Sequence, residues 1–264
     1  MKKTIIRIGI VCTLLFQANQ LMAQEVTGEL KKWHKITLSL VGPQSSEQAE
    51  DNPFLNYRLN VLFKHLASGK EFLIPGYYAD DGNAGNTGAE SGNVWKAHFT
   101  PEETGEWQYN IEFKKGKWAA IRTSEKLESG GFMDGAKGEF TVINTDKTGR
   151  DFRGKGFLKY VGERYLRFQN GDYFLKCGSD APENFLAYDQ FDGTFHKDGH
   201  KDELIKSWEA HLEDWHEGDP TWQNGKGKEI IGAINYLASK GMNAFSFLTM
   251  NIGGDDRNVF PYVD

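Results

Sequence analysis

The feature that most constrains this chain is a two-residue alternation that recurs across its first half. Its clearest instance is Trp107, Tyr109, Ile111 and Phe113, separated by Gln108, Asn110 and Glu112. Neighbouring side chains on a strand point to opposite faces, so this spacing builds one apolar face and one wet face. The alternation returns at Ile36, Leu38 and Leu40, at Tyr57, Leu59, Val61 and Phe63, at Trp95, Ala97 and Phe99, and at Phe140 and Val142. Turn-forming breaks divide the runs, among them Asp80-Asp81-Gly82-Asn83 and Lys114-Lys115-Gly116-Lys117. Several short strands between Val26 and Thr145 predict a β-sandwich of immunoglobulin-like shape, without the disulfide of that fold.

The N-terminus sets the expected compartment. Lys2, Lys3 and Arg7 give a basic start, an apolar stretch runs from Ile5 to Phe16, and Leu21-Met22-Ala23 places a small residue before Gln24. That order is the order of a secretory signal, and the apolar run is too short to span a bilayer. The competing reading is an amphipathic helix of the mature fold, which accounts less well for the charge and cleavage pattern. Cleavage after Ala23 removes three positive charges and takes the net charge from −6 to −9. Cys12 leaves with the signal, so Cys177 has no partner for an intramolecular disulfide. Cys12 also lies mid-run, away from the cleavage point, which argues against a lipid anchor. No later stretch is apolar for long enough to cross a membrane. The expectation is a soluble protein, secreted or periplasmic. An acidic balance without a basic run argues against nucleic acid as a partner. Aromatics make up 13 % of the chain, with seven Trp and 30 Gly, which suits β structure and sugar stacking. For any single Trp, core packing is the default.

The texture changes between Thr145 and Gly156, a charged, glycine-bearing stretch that predicts a domain boundary. The expected organisation is a signal over 1–23, a sandwich over 24–147 and a second domain over 148–264. In the second, Tyr165–Phe168 and Tyr173–Lys176 flank Asn170-Gly171 and predict a hairpin. Residues 202–216 read as a helix ending before Asp219-Pro220. Residues 228–239 read as a stronger one, with Ile230, Ile231, Ile234 and Leu237 at helical spacing and Gly241 just beyond. Ala244–Thr249 then reads as a buried strand. Strand, helix and strand make a unit of a parallel α/β fold. Two parallel strands, Tyr173–Cys177 and Ala244–Thr249, cannot close a barrel, so the expected fold class is a β-sandwich plus an incomplete, truncated TIM-type barrel.

Three stretches are distinctive together: Gly28–Lys35 (GELKKWHK), Asn52–Leu59 (NPFLNYRL) and Pro75–Gly82 (PGYYADDG). With Thr104-Gly105-Glu106-Trp107 they resemble the N-terminal family named domain of unknown function 5060. Gly178–Leu186 (GSDAPENFL) and Leu248–Arg257 (LTMNIGGDDR) are similar to the opening of the bacterial glycoside hydrolase barrel that follows this domain. The resemblance implies a hydrolase acting on a complex glycan, with a poly- or oligosaccharide as partner and no cofactor. In related barrels the catalytic carboxylates sit on later strands than this chain contains, so no catalytic residue is carried over.

Glycoside hydrolysis needs two carboxyl groups flanking the bond, gathered in such barrels at the C-terminal ends of strands. Two loops qualify by position as substrate contacts. One holds Asp180, Glu183 and Asn184; the other holds Asn251, Asp255, Asp256 and Arg257. Their amides and carboxylates suit sugar hydroxyls, and Arg257 suits a uronate or sulfate. The bland reading is a local ion pair within Asp255-Asp256-Arg257. Trp208, Trp215 and Trp222 fall seven apart, with Pro220 separating the last from the others. Trp208 and Trp215 are a candidate stacking platform, against which stands ordinary helix packing. His196, His200, His211 and His216 lack paired metal-ligand spacing, so no metal site is expected. Asp80, Asp81 and Asn83 have calcium-ligand chemistry, but the full acidic loop is missing and a plain turn is preferred. Cys177 lacks a partner base and reads as a buried structural thiol. Two functions remain in view: an exported glycosidase, and a non-catalytic carbohydrate-binding or accessory module.

Overall fold

The structure is a computed structural model that describes residues 24–122, 126–131, 133–179, 185–191, 195–196, 205–249 and 259–260. The chain divides into two compact units. The first runs to Glu163 and takes in Arg167–Asp172; the second holds Arg164–Leu166 and the chain from Tyr173 onward.

The first unit is a two-sheet antiparallel β-sandwich. One sheet is formed by β1 (Gln24–Gly28), β2 (Ile36–Ser46), β5 (Tyr77–Tyr78) and β6 (Ser91–Phe99), in the order β1-β2-β6-β5. The other is formed by β3 (Tyr57–His65), β4 (Glu71–Pro75), β7 (Gly105–Lys115) and β8 (Glu128–Ser129), in the order β4-β3-β7-β8, with β9 (Lys137–Val142) also on β7. Register follows the alternation: Leu59 faces Phe113, Val61 faces Ile111 and Phe63 faces Tyr109 across β3 and β7. A slip of one residue would turn all of these out of the core. Trp95, Trp107, Phe63 and Phe113 are fully buried between the sheets, and Phe63 stacks on Phe99 with centroids 4.3 Å apart. Each such side chain contributes about 1.5–3 kcal/mol by leaving water. β2 carries Pro43, which has no N–H for a ladder; register shifts there between Val41 and Ser45. Two buried histidines escape the sequence pattern. His65 bonds through Nε2 to the Thr104 carbonyl (3.0 Å) and lies on Trp107; His34 bonds through Nε2 to Thr145 Oγ1 (3.0 Å).

The segment after the sandwich stays with the first unit as far as Glu163. β10 (Leu158–Lys159) pairs with β11 (Leu166–Phe168), and Glu102 accepts from Lys70, Lys159 and Gln169. The expected turn forms at Asn170-Gly171, closed by the Phe168 N–H donating to the Asp172 carbonyl (2.8 Å). Its second strand, β12, is confined to Tyr173–Phe174.

In the second unit the helix Lys228–Ser239 forms as expected, between left-handed Gly227 (φ 90°) and Gly241 (φ 91°). Its buried side is Ile230, Gly232 and Ala233 rather than the isoleucine face expected, and Ile234 is exposed. Gly232 is decisive: a Cβ there would come within 1.9 Å of the His211 carbonyl oxygen. The neighbour supplying that carbonyl is a correction to the expectation of a helix over 202–216. Among the described residues only a 3-10 helix, Glu209–Asp214, forms, between left-handed Trp208 (φ 57°) and extended Trp215. Asn235 satisfies its end by donating to the Asp214 carbonyl (2.9 Å), so α-helical continuation is not needed.

The parallel unit is also corrected. Ala244–Thr249 joins no strand ladder, and β13 (Phe195–His196) pairs antiparallel with β14 (Val259–Phe260). Asn243 N–H reaches the Cys177 carbonyl (2.9 Å) and Ser246 N–H reaches the Ser179 carbonyl (3.1 Å), so the two segments run side by side without a continuous ladder. The opening of a TIM-type barrel is not supported among the described residues. Cys177, expected to be buried, is exposed: its segment joins residues 243–246 through backbone hydrogen bonds, which leave its side chain in solvent.

Candidate functional site

Two of the distinctive sequence stretches converge on one cleft of the sandwich, of about 160 Å³, lined by Pro53, Phe54, Tyr57–Asn60, Pro75–Tyr78, Trp95 and Ala120. The first stretch enters through a single helical turn, Pro53–Asn56. Asn52 Oδ1 accepts from the N–H groups of Phe54 (2.9 Å) and Leu55 (3.1 Å), and Pro53 sits where no N–H is needed. The turn leaves Phe54 half exposed, its ring edge-on to Tyr78 at 5.7 Å.

The second stretch crosses between the sheets. β4 ends on Pro75 beside β3, and β5 starts at Tyr77 beside β6. Gly76 makes the crossing, because a Cβ there would lie 2.3 Å from Leu59 Cδ2 and 2.8 Å from the Lys96 carbonyl oxygen. The strand pleat then sends Tyr78 inward and Tyr77 outward. Tyr78 donates to the Ser45 carbonyl (2.6 Å) and accepts from the Gly92 N–H (2.8 Å). Tyr77 stays 44 % exposed, its hydroxyl 2.9 Å from His98 Nε2, and His98 Nδ1 is 2.9 Å from Thr37 Oγ1. Burial, then the charges of Lys35 and Lys96, hold His98 below the usual imidazole range, so it sits neutral between the two hydroxyls. Arg58, on the same wall, donates to the Arg122 carbonyl (2.8 Å) and to Glu112 (3.0 Å), fixing its guanidinium. The exposed rings of Phe54 and Tyr77 line one cleft with Arg58 and Asn60, which sets apolar surface and hydrogen-bonding groups in the same concavity. That pairing suits a pyranose, which has an apolar C–H face and a polar edge.

The Asp80–Asn83 turn is an Asx turn, with Asp81 Oδ1 accepting from the Asn83 N–H (2.7 Å). Asp80 is buried, and burial, with the charges of Asp81 and Glu90, pushes its carboxyl up. No group of three or more His, Cys, Asp or Glu placed to hold a metal occurs among the described residues.

The barrel-side candidates Asp180, Glu183, Asn184, Asn251, Asp255, Asp256 and Arg257 lie outside the described residues. Trp208 and Trp215 are described, at opposite ends of the 3-10 helix. Trp208 packs on Phe185 (5.5 Å), and Lys228 Nζ lies 4.4 Å from the Trp215 ring. The indole N–H of each is buried, without a hydrogen-bond partner among the described residues. Trp222 stacks on Phe191 at 5.4 Å. Sequence reasoning missed a polar cluster beneath these rings. Fully buried Tyr188 donates to Glu229 Oε2 (2.6 Å), and Gln190 donates to the same oxygen (3.1 Å). Burial and then Glu229 raise the Tyr188 hydroxyl far above the phenol range. Burial works against the Glu229 carboxylate, but the bonds from Tyr188 and Gln190 hold it below the usual range. Forty-one positions separate Tyr188 from Glu229, and no local pattern joins them.

The profile of a family described as a domain of unknown function, DUF5060, matches residues 29–114. Residues 29–114 carry a DUF5060 domain. Both stretches that build the cleft lie inside it. Among solved structures, a putative glycoside hydrolase from Bacteroides vulgatus ATCC 8482 is similar at 22 % identity and a TM-score of 0.41, over 61 % of this chain and 24 % of that one. This chain therefore spans 24 % of that structure's length. No curated protein matches.

Proposed function

We propose that the protein is an exported glycoside hydrolase of glycan breakdown, whose DUF5060 sandwich holds polysaccharide in the cleft between Phe54 and Tyr77. The observation that carries carbohydrate recognition is the meeting of two exposed rings with Asn60 and Arg58 in one concave surface. Hydrolysis of O-glycosyl bonds rests on the likeness of Gly178–Leu186 and Leu248–Arg257 to a glycosidase barrel, and no residue is assigned the catalytic role. Asp180, Glu183, Asn184, Asn251, Asp255, Asp256 and Arg257 are proposed substrate contacts on the same footing, and Trp208 and Trp215, from their spacing, as a stacking platform. A non-catalytic accessory module is the second reading, favoured by the placement of the cleft wholly on the sandwich unit.

The test is affinity electrophoresis of the full chain against a panel of soluble polysaccharides, with reducing-sugar release measured on each glycan retained. Retention that falls in Phe54→Ala and Tyr77→Ala supports recognition at the cleft. Retention equal in wild type and both variants overturns it. Release of reducing ends decides for the hydrolase, and retention without release decides for the accessory module. Sequencing the N-terminus of protein recovered from a bacterial culture medium or periplasm tests export, with Gln24 the expected first residue.

A further inference from the structure

The sandwich unit holds a second pocket of different chemistry. It measures about 310 Å³, against about 160 Å³ for the first cleft, and so reaches the size of small-molecule sites. Trp33, Phe152 and Phe157 form its apolar wall, and Lys35, Thr100 and Arg153 its polar groups. The wall is built deliberately. Trp33 is left-handed (φ 68°), held by its N–H donating to the Pro101 carbonyl (2.7 Å). Its indole lies against Gly156, where a Cβ would come within 2.6 Å of Cε2. The two phenylalanines are 41 % and 42 % exposed and add apolar surface to the same pocket.

The charges around this wall are unequal. Arg153 is occupied: its Nε and Nη2 both bond Asp151, at 3.0 and 2.6 Å. Lys35 is exposed and forms no ion pair among the described residues. A second cation, Lys32 Nζ, sits 4.0 Å from the Trp33 ring. The Trp33 indole N–H is buried and has no hydrogen-bond partner among the described residues. The fitting occupant therefore has a flat apolar face, a negative group within reach of Lys35, and an acceptor oxygen. A neutral sugar meets the first and third conditions and leaves the cation unused. A simple anion meets only the second.

We propose that this pocket binds an anionic sugar residue, its ring on the aromatic wall and its carboxylate or sulfate ester on Lys35. The proposal rests on the reading of the sandwich as a glycan-binding unit and adds the charge class of the glycan. Calorimetric titration of the full chain tests it with three probes: an oligogalacturonate, its methyl ester, and a sulfated galactan oligosaccharide. Wild type binds a charged probe, more weakly as salt rises, and binds the ester less well. Lys35→Gln, an exposed change that spares the fold, weakens the charged probe about tenfold and leaves the ester unchanged. Phe157→Ala weakens both. Tighter binding of the carboxylate probe assigns a uronate, and tighter binding of the sulfated probe a sulfate ester. Equal affinity of wild type and Lys35→Gln for every charged probe overturns the proposal. If neutral glycans bind through Phe54 and Tyr77 while the acid and its ester bind alike, only this inference falls. If no glycan binds at all, the reading beneath it falls too.

Discussion

Gly76 is the residue whose replacement bears hardest on the description of the cleft. In Gly76→Ala the new Cβ would meet Leu59 Cδ2 at 2.3 Å, Leu59 Cγ at 2.6 Å and the Lys96 carbonyl oxygen at 2.8 Å. Leu59 is core, 2 % exposed, and cannot swing aside without disturbing its neighbours. The Lys96 carbonyl belongs to the β6 backbone and cannot rotate away alone. Overpacking costs about 1–3 kcal/mol, and two obstacles of which one is backbone put this change near the upper end, at about 2–3 kcal/mol. For a unit of this size the midpoint should drop by about 4–12 °C. Gly85→Ala is the control. Nothing lies within 4 Å of its added Cβ, and its backbone is ordinary, so it should be neutral or stabilise by about 0.5 kcal/mol. Near-UV circular dichroism melts of the full chain read the packed Trp95 and Trp107 directly. The reasoning is refuted if Gly76→Ala melts with the wild type, or if Gly85→Ala falls as far.

Phe63→Ala should cost about 3–5 kcal/mol, since it empties a site stacked on Phe99 and edged by Phe140; denaturant titration gives the figure, and a loss under about 1 kcal/mol contradicts the packing. Glu102 ties the sandwich to Lys159 and Gln169. Burial opposes its charge, but the Gln169 bond and the charges of Lys159 and Lys70 hold its folded pKa below the ordinary 4.5. Its contribution is therefore fully present above about pH 4.5 and is lost as pH falls through the lower folded value. Melts from pH 6 to pH 3 should show a steeper acid loss in wild type than in Glu102→Gln, and parallel curves would contradict this. Tyr188→Phe leaves the partly buried Glu229 with one donor fewer, at a cost of about 1 kcal/mol. Hydrogen exchange of the helix Lys228–Ser239 should accelerate accordingly, and unchanged protection would count against the bond.

The sandwich was legible because period-two burial is written locally. Trp107–Phe113 and Leu59–Phe63 show which face is inward before any partner strand is known, and β3 and β7 pair as the pattern requires. The helix Lys228–Ser239 was legible for the same reason at period 3.6, apart from which face is deepest. Gly232 decided that, and its value depends on a carbonyl from another element. The failures share this dependence. The last carbonyl of the 209–214 segment, that of Asp214, is satisfied by Asn235, so helical composition does not force an α-helix. Ala244–Thr249 is apolar enough for a strand, but a ladder needs a partner along its whole length. The cleft was half legible. Asn52–Leu59 and Pro75–Gly82 stood out as sequences, while their meeting turns on a sheet crossing at Gly76. The pocket around Trp33 depends likewise on Gly156, more than a hundred positions away.

The absence of cysteine from 24–147 has a practical and evolutionary edge. Where many sandwiches of this shape fasten their two sheets with a covalent pin, this one relies on interlocked rings, Phe63 on Phe99 and Trp95 against Phe113. Its folding then waits on no oxidant and no thiol exchange, steps that run in seconds to hours. The sandwich should reach its native state equally well in a reducing cytosol and in an oxidising or oxygen-free medium outside the cell. Added reductant should leave its melting midpoint where it was.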